Sequence, residues 1–152
     1  MLLSEAQALA RSLMDEHGIT DWTFQFDKAT RRFGCTHYGL KRITLSKALT
    51  LLNDEEHVKN TILHEIAHAL APRRSGHDRV WRDIAVSIGC TGDRLYDGSV
   101  VKTPPKPFKG TCPKCERVIE RRRRDKIACG KCCKAYNNNR YSDEYLFNWE
   151  RA

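Results

Sequence analysis

Asn53-Asp54-Glu55-Glu56-His57-Val58-Lys59-Asn60-Thr61-Ile62-Leu63-His64-Glu65-Ile66-Ala67-His68-Ala69-Leu70-Ala71-Pro72 is the stretch that decides how this 152-residue chain reads. Val58, Ile62, Ile66 and Leu70 recur every four residues, and Leu63 and Ala67 widen the stripe, the pattern of one buried helix face. Asn53 is placed to cap the segment, Glu56 stands at the capping-box position, and Pro72 blocks continuation. The spacing predicts a helix over 54–71. Glu55 and Glu56 are first-turn charges of the kind the helix dipole favours.

On that helix His64 and His68 lie four apart, one turn above each other, so both imidazoles reach a common point. Glu65 is turned by about 100° from His64, so its carboxylate reaches a metal-bound water without ligating the metal. One turn therefore supplies two ligands and a general base, the arrangement of a hydrolytic zinc site. A catalytic zinc takes three protein ligands and keeps one position open. His77 is the leading third ligand: the chain breaks at Pro72, loops through Arg73-Arg74-Ser75-Gly76 and re-enters a helix expected from about Asp78 to Ile88. His57, nearly two turns before His64, falls short of a shared ion. His17 and His37 read as ordinary surface or core histidines.

Upstream, residues 4–17 read as a helix opened by Ser4 with Gln7 and ended by Gly18. Trp22-Thr23-Phe24-Gln25-Phe26 alternates with period two, and 33–38 and 40–45 are shorter strand candidates. Together they predict a small antiparallel sheet in an α+β domain. Downstream, Lys102-Thr103-Pro104-Pro105-Lys106-Pro107 fits neither a regular helix nor a central strand and reads as a stiff linker. The division expected is 1–101 for the domain, 102–110 for the linker and 111–152 for a second unit.

That second unit opens with Cys112-Pro113-Lys114-Cys115 and continues to Cys129-Gly130-Lys131-Cys132. Two Cys-x-x-Cys knuckles separated by 13 residues, joined by a hairpin, predict a structural zinc. Cys133 competes with Cys132 for the fourth position, and the two-residue spacing favours Cys132. Cys35 and Cys90 stand alone. Charge is uneven too: residues 1–108 carry 15 Lys and Arg against 13 Asp and Glu, residues 109–152 carry 12 against 6. Between the knuckles Arg121, Arg122, Arg123 and Arg124 are expected at a hairpin tip, matching phosphate geometry and pointing to nucleic acid as a partner, with a solvated charge run as the alternative. Tyr136, Tyr141, Tyr145, Phe147 and Trp149 either stack on bases or pack on the protein. No run of about 18 apolar residues exists, which excludes a membrane-spanning helix. Met1-Leu2-Leu3-Ser4-Glu5 lacks the basic opening of a secretory signal, so an intracellular site, cytoplasmic or nucleoid/nuclear, is expected.

His64-Glu65-Ile66-Ala67-His68-Ala69-Leu70 followed by Gly76-His77 and Trp81 resembles the SprT-like metalloprotease family, which includes Spartan. Gly34 and Gly39 around Cys35, the strand Ile43-Thr44-Leu45-Ser46, and the paired cysteines extend the resemblance over about residues 4–135. It implies a zincin-like, minimal gluzincin fold with a C-terminal β zinc ribbon. It further implies a zinc endopeptidase in which His64, His68 and His77 hold one zinc, Glu65 is the general base, and a second zinc is structural. Spartan-type members cleave proteins bound or crosslinked to DNA. Regulation through Spartan's long recruitment segments is not carried over.

In the mechanism this implies, metal-activated water attacks the peptide bond while Glu65 moves the proton. An extended substrate pairs with an edge strand near Ile43–Ser46; the sequence does not name the group that stabilises the oxyanion, for which Tyr96, Arg73 and Arg74 are guesses. Two other readings remain: a zinc-ribbon nucleic-acid-binding or regulatory protein with a non-catalytic metal site, and a zinc hydrolase acting on other bonds.

Overall fold

A computed structural model describes all 152 residues, which form two compact units, Met1–Pro104 and Pro105–Ala152. The first contains α1 (Leu3–Glu16), β1 (Thr23–Asp27), β2 (Gly34–His37), β3 (Arg42–Ser46), α2 (Lys47–Leu52), α3 (Glu55–Leu70) and α4 (Arg79–Ser87). The α+β class is as expected. The histidine helix is the predicted one, α3, but its cap is Asp54, whose carboxylate accepts from the His57 amide at 3.1 Å. Asn53 is buried for another purpose. Its amide donates to Lys102 O and its Oδ1 accepts from Lys102 N, both at 2.8 Å, which ties the start of the proline segment to the end of α2. Ser4 likewise lies inside α1, whose first turn begins after Leu2.

The sheet departs from the expected pairing. Its order is β1-β3-β2, with β2 antiparallel to β3 but β1 parallel to it, Thr23 opposite Arg42 and Asp27 opposite Ser46. Alternating residues reveal a strand but not its neighbour, so the mixed sheet was not legible. One consequence reaches the site: β3 is the central strand, with Ile43 and Leu45 fully buried, and it has no free edge for a substrate. The edges are β1 and β2, and β2 is the one beside α3. Against this sheet pack α1 and α3, with Ala6, Ala10, Met14, Val58, Ile62 and Ile66 all excluded from water. Truncating one such isoleucine to alanine costs about 2–5 kcal/mol.

The second unit contains β4 (Phe108–Thr111), β5 (Val118–Arg121), the short helix α5 (Gly130–Tyr136) and β6 (Asn148–Arg151). Its sheet is antiparallel, in the order β5-β4-β6. Residues 108–110, expected in the linker, therefore belong to β4. The first knuckle is itself the tip of the β4–β5 hairpin, and the chain returns as β6 to close the other edge. Gly110 makes room for that return, since a Cβ there would lie 2.8 Å from a Trp149 ring carbon. The aromatic tail divides accordingly. Tyr145 and Phe147 join the buried cysteines in the core, whereas Tyr136 and Tyr141 are exposed.

Candidate metal centres and hydrolytic cleft

Three imidazoles converge where α3 meets the loop before α4. The Asp78 side chain caps α4, accepting from Trp81 N at 3.0 Å, and this holds the preceding His77 against the turn of α3 that carries His64 and His68. His77 Nε2 lies 3.0 Å from both His64 Nε2 and His68 Nε2. Burial and then the neighbouring histidines push His64 down to about 4, with a hydrogen bond to the Asp93 backbone acting the other way. Burial and then His77 push His68 down to about 4. His77 is also lowered, by burial and then by the Arg94 guanidinium. Neutral imidazoles have lone pairs free to ligate. A single proton between two of these nitrogens leaves the third pointing a lone pair at the others. Nitrogens bound at about 2.0–2.1 Å to a tetrahedral ion stand roughly 3.3 Å apart, so the donor set fits zinc. His57 is outside the group, its Nδ1 2.6 Å from Asp54 Oδ1.

Glu65 is 7% exposed and points toward β2. Thr36 Oγ1 stands 2.7 Å from its Oε2 and 3.0 Å from its carbonyl oxygen. Burial raises the carboxyl to about 7, with Thr36 and Arg32 pulling the other way. A carboxylate poised near neutrality is suited to taking a proton and giving it back. Gly34 is the close neighbour on the other side, where a Cβ would fall 2.8 Å from Glu65 Cγ and Oε1.

These groups line a cleft of about 600 Å³. One wall is β2, through Gly34, Cys35 and Thr36, and another is the segment from Thr91 to Val101. Of the residues considered for an oxyanion, Tyr96 lines the cleft, but its hydroxyl donates to Arg31 O at 3.2 Å. Arg73 and Arg74 do not line it, and Arg73 instead stands 5.7 Å over the Tyr38 ring. Sequence reasoning missed Thr36 and Arg94, and it quoted Gly34 for the resemblance without a role in the site. Their roles come from contacts far apart in sequence, and no local pattern marks them. Trp81, read from the sequence as an apolar position of the 78–88 helix and quoted for the resemblance, is fully buried beside all three imidazoles.

In the second unit the sulfurs of Cys112 and Cys132, and of Cys115 and Cys129, lie 3.8 Å apart. That is far beyond a disulfide bond of about 2.05 Å. It equals the roughly 3.8 Å separation of thiolates held at about 2.3 Å around a tetrahedral zinc. Burial opposes ionisation at Cys112, but backbone and thiol hydrogen bonds bring it down to about 7. Burial and the surrounding thiols push Cys132 up to about 12. A cation is what lets all four ionise together. Cys133 lies outside the cluster. Arg121 ends β5 opposite Phe108, and Arg123 and Arg124 are exposed in the turn that follows. Arg124 stands 5.2 Å over the Phe108 ring, and Arg122 is half-buried. The four arginines thus flank a strand end and do not occupy a hairpin tip. No helix is long and apolar enough to cross a membrane.

The model of the SprT-like family matches residues 5–103, the span that contains the three histidines and Glu65. No curated protein and no solved structure matches the chain.

Proposed function

Because this chain belongs to the SprT-like family, a family of metalloprotease type, we propose that it is a zinc-dependent endopeptidase acting on proteins bound or crosslinked to DNA. The observation that carries the reading is the convergence of His64, His68 and His77 beside a buried carboxylate in a cleft walled by an edge strand. A purely structural ion gains nothing from a carboxylate aimed past its ligands, whereas hydrolysis requires one.

When bound, zinc lowers the pKa of a coordinated water to about 7 and polarises a carbonyl. The chain's own groups do the rest. His64, His68 and His77 offer their Nε2 atoms as ligands. Glu65 takes the proton of the attacking water on its carboxylate and passes it to the nitrogen of the departing amine. Thr36 fixes the Glu65 rotamer, and Gly34 leaves room for it. The outer edge of β2 takes an extended substrate by backbone pairing, which selects for unfolded or flexible segments over particular side chains.

In the second unit Cys112, Cys115, Cys129 and Cys132 hold a structural zinc. The exposed Arg121, Arg123 and Arg124, with Arg122 beside them, contact DNA phosphates. Support for DNA comes from the basic excess of residues 109–152, 12 Lys and Arg against 6 Asp and Glu.

The test compares the zinc-loaded native chain with Glu65→Gln on a DNA-binding protein, with and without DNA. Cleavage that needs Glu65 and rises with DNA supports both halves of the proposal. Absence of cleavage across several proteins and DNA forms points instead to a nucleic-acid-binding protein with a non-catalytic metal site. Neutralising Arg121 to Arg124 should weaken DNA binding and flatten its salt dependence.

A further inference from the structure

The three imidazoles come from two pieces of chain with different stiffness. His64 and His68 share α3. His77 follows Gly76, whose φ is 57°, in the loop before α4, and its outer side faces solvent. Nothing in the backbone ladder sets its ring angle. One side chain packs against all three rings. The Trp81 indole stacks on His68 at 5.2 Å and 27°, and meets His64 at 4.7 Å and His77 at 4.6 Å edge-on.

We propose that Trp81 is the positioning residue of this centre: its indole is the plate that fixes the three ring orientations so that their nitrogens converge before an ion arrives. The inference rests on the reading of His64, His68 and His77 as metal ligands. Two observations say that Trp81 is more than filler. Contact with three rings on different sides needs a broad, two-ring plate, because a single phenyl ring reaches fewer of them. Moreover, Trp81 Nε1 is buried without a hydrogen-bond partner. A phenyl ring or a leucine would fill the core without burying an unsatisfied donor. Packing alone thus disfavours tryptophan here, while ring positioning favours it. Outer-shell partners of metal-binding histidines act in the same way, by limiting the orientations that the ligands must otherwise give up on binding.

The two roles separate in Trp81→Phe, made in the full chain. Zinc affinity is measured by competition with a chromophoric chelator, with His64→Ala as the reference that keeps only the four-cysteine site. The native chain should bind two zinc ions. In Trp81→Phe the second should bind about 10–100-fold more weakly. The cobalt-substituted histidine site should show a shifted visible band. Melting of the metal-free chain should change little, since the phenyl removes the unsatisfied donor as it loses ring contact. If Trp81→Phe does not fold, Trp81→Tyr, with intermediate reach, makes the same comparison. Native affinity together with a native cobalt spectrum in the variant overturns the proposal. So does an affinity loss matched by an equal loss of metal-free stability, which is the mark of a structural role. Were the native chain to bind zinc only where His64→Ala does, the ligand reading itself would fall, and this proposal with it.

Discussion

Gly34→Ala adds one methyl group and tests how tightly the base is held. The new Cβ would lie 2.8 Å from Glu65 Cγ, 2.8 Å from Oε1 and 3.0 Å from Thr61 Cγ2. Carbon atoms settle at about 3.5 Å or more, so something must retreat by roughly 0.7 Å. Glu65 has little freedom to do so. It is anchored on a 16-residue helix, and its Oε2 is held at 2.7 Å by Thr36, two residues along the same strand as Gly34. If β2 backs away instead, Thr36 moves with it and the carboxylate loses its partner. Either way the base is displaced by a distance approaching 1 Å, which costs on the order of 100-fold in rate. Overpacking at such a site also costs about 1–3 kcal/mol of stability. None of the three close contacts is an imidazole, so zinc should still bind. The assay is initial-rate proteolysis of an unfolded protein, with kcat and KM separated and zinc content measured in parallel. We expect kcat to fall, KM to change little and zinc to stay. A kcat within twofold of native would refute the argument that Gly34 exists to seat Glu65, and parallel loss of zinc would show that the damage reaches the ligands.

Thr36→Val should lower kcat by about tenfold or more and Thr36→Ser should restore it, because what matters is one hydroxyl within 2.7 Å of Oε2; equal rates for the two variants would count against this. Chelating the zinc proposed for the four-cysteine cluster should collapse the second unit, whose core is largely sulfur with Tyr145 and Phe147, while the amide signals of α1 and α3 persist; retained β4–β6 amide protection would contradict it. Acid titration should report on Asp27, the partly buried one of the aspartates whose pKa is lowered. Partial burial raises its pKa, but the Ala29 amide, the Thr44 hydroxyl and Arg32 outweigh that and leave it below 3.8. A depressed carboxylate contributes stability above its unfolded pKa and loses it as pH falls through the folded value. Asp27→Asn should therefore melt below native at neutral pH, with the gap closing in acid; a gap independent of pH would exclude this source.

Much of the chemistry lay in short-range spacing. A four-residue repeat of Val58, Ile62 and Ile66, with His64 and His68 each two residues after an isoleucine, determines a half-buried helix presenting two imidazoles one turn apart, because helical geometry relates residues four apart without help from the rest of the chain. Two Cys-x-x-Cys knuckles are equally local in origin. What tertiary structure decided is everything that depends on which element lies beside which. The strand period marked 40–45 without saying that β3 would take a neighbour on each side and leave β2 as the edge beside α3. Polar residues told the same story: Asn53 suits a cap by propensity, yet Lys102, 49 residues away, claims its amide. Gly34 and Thr36 acquire meaning only when β2 is laid against Glu65, 29 residues beyond Thr36. His77 was within reach by loop length, but its convergence on the other two nitrogens needed α4 to pack back on α3 around Trp81. Backbone geometry reaches only a few residues along the chain, whereas a reaction site is assembled across distances that burial and packing alone can bridge.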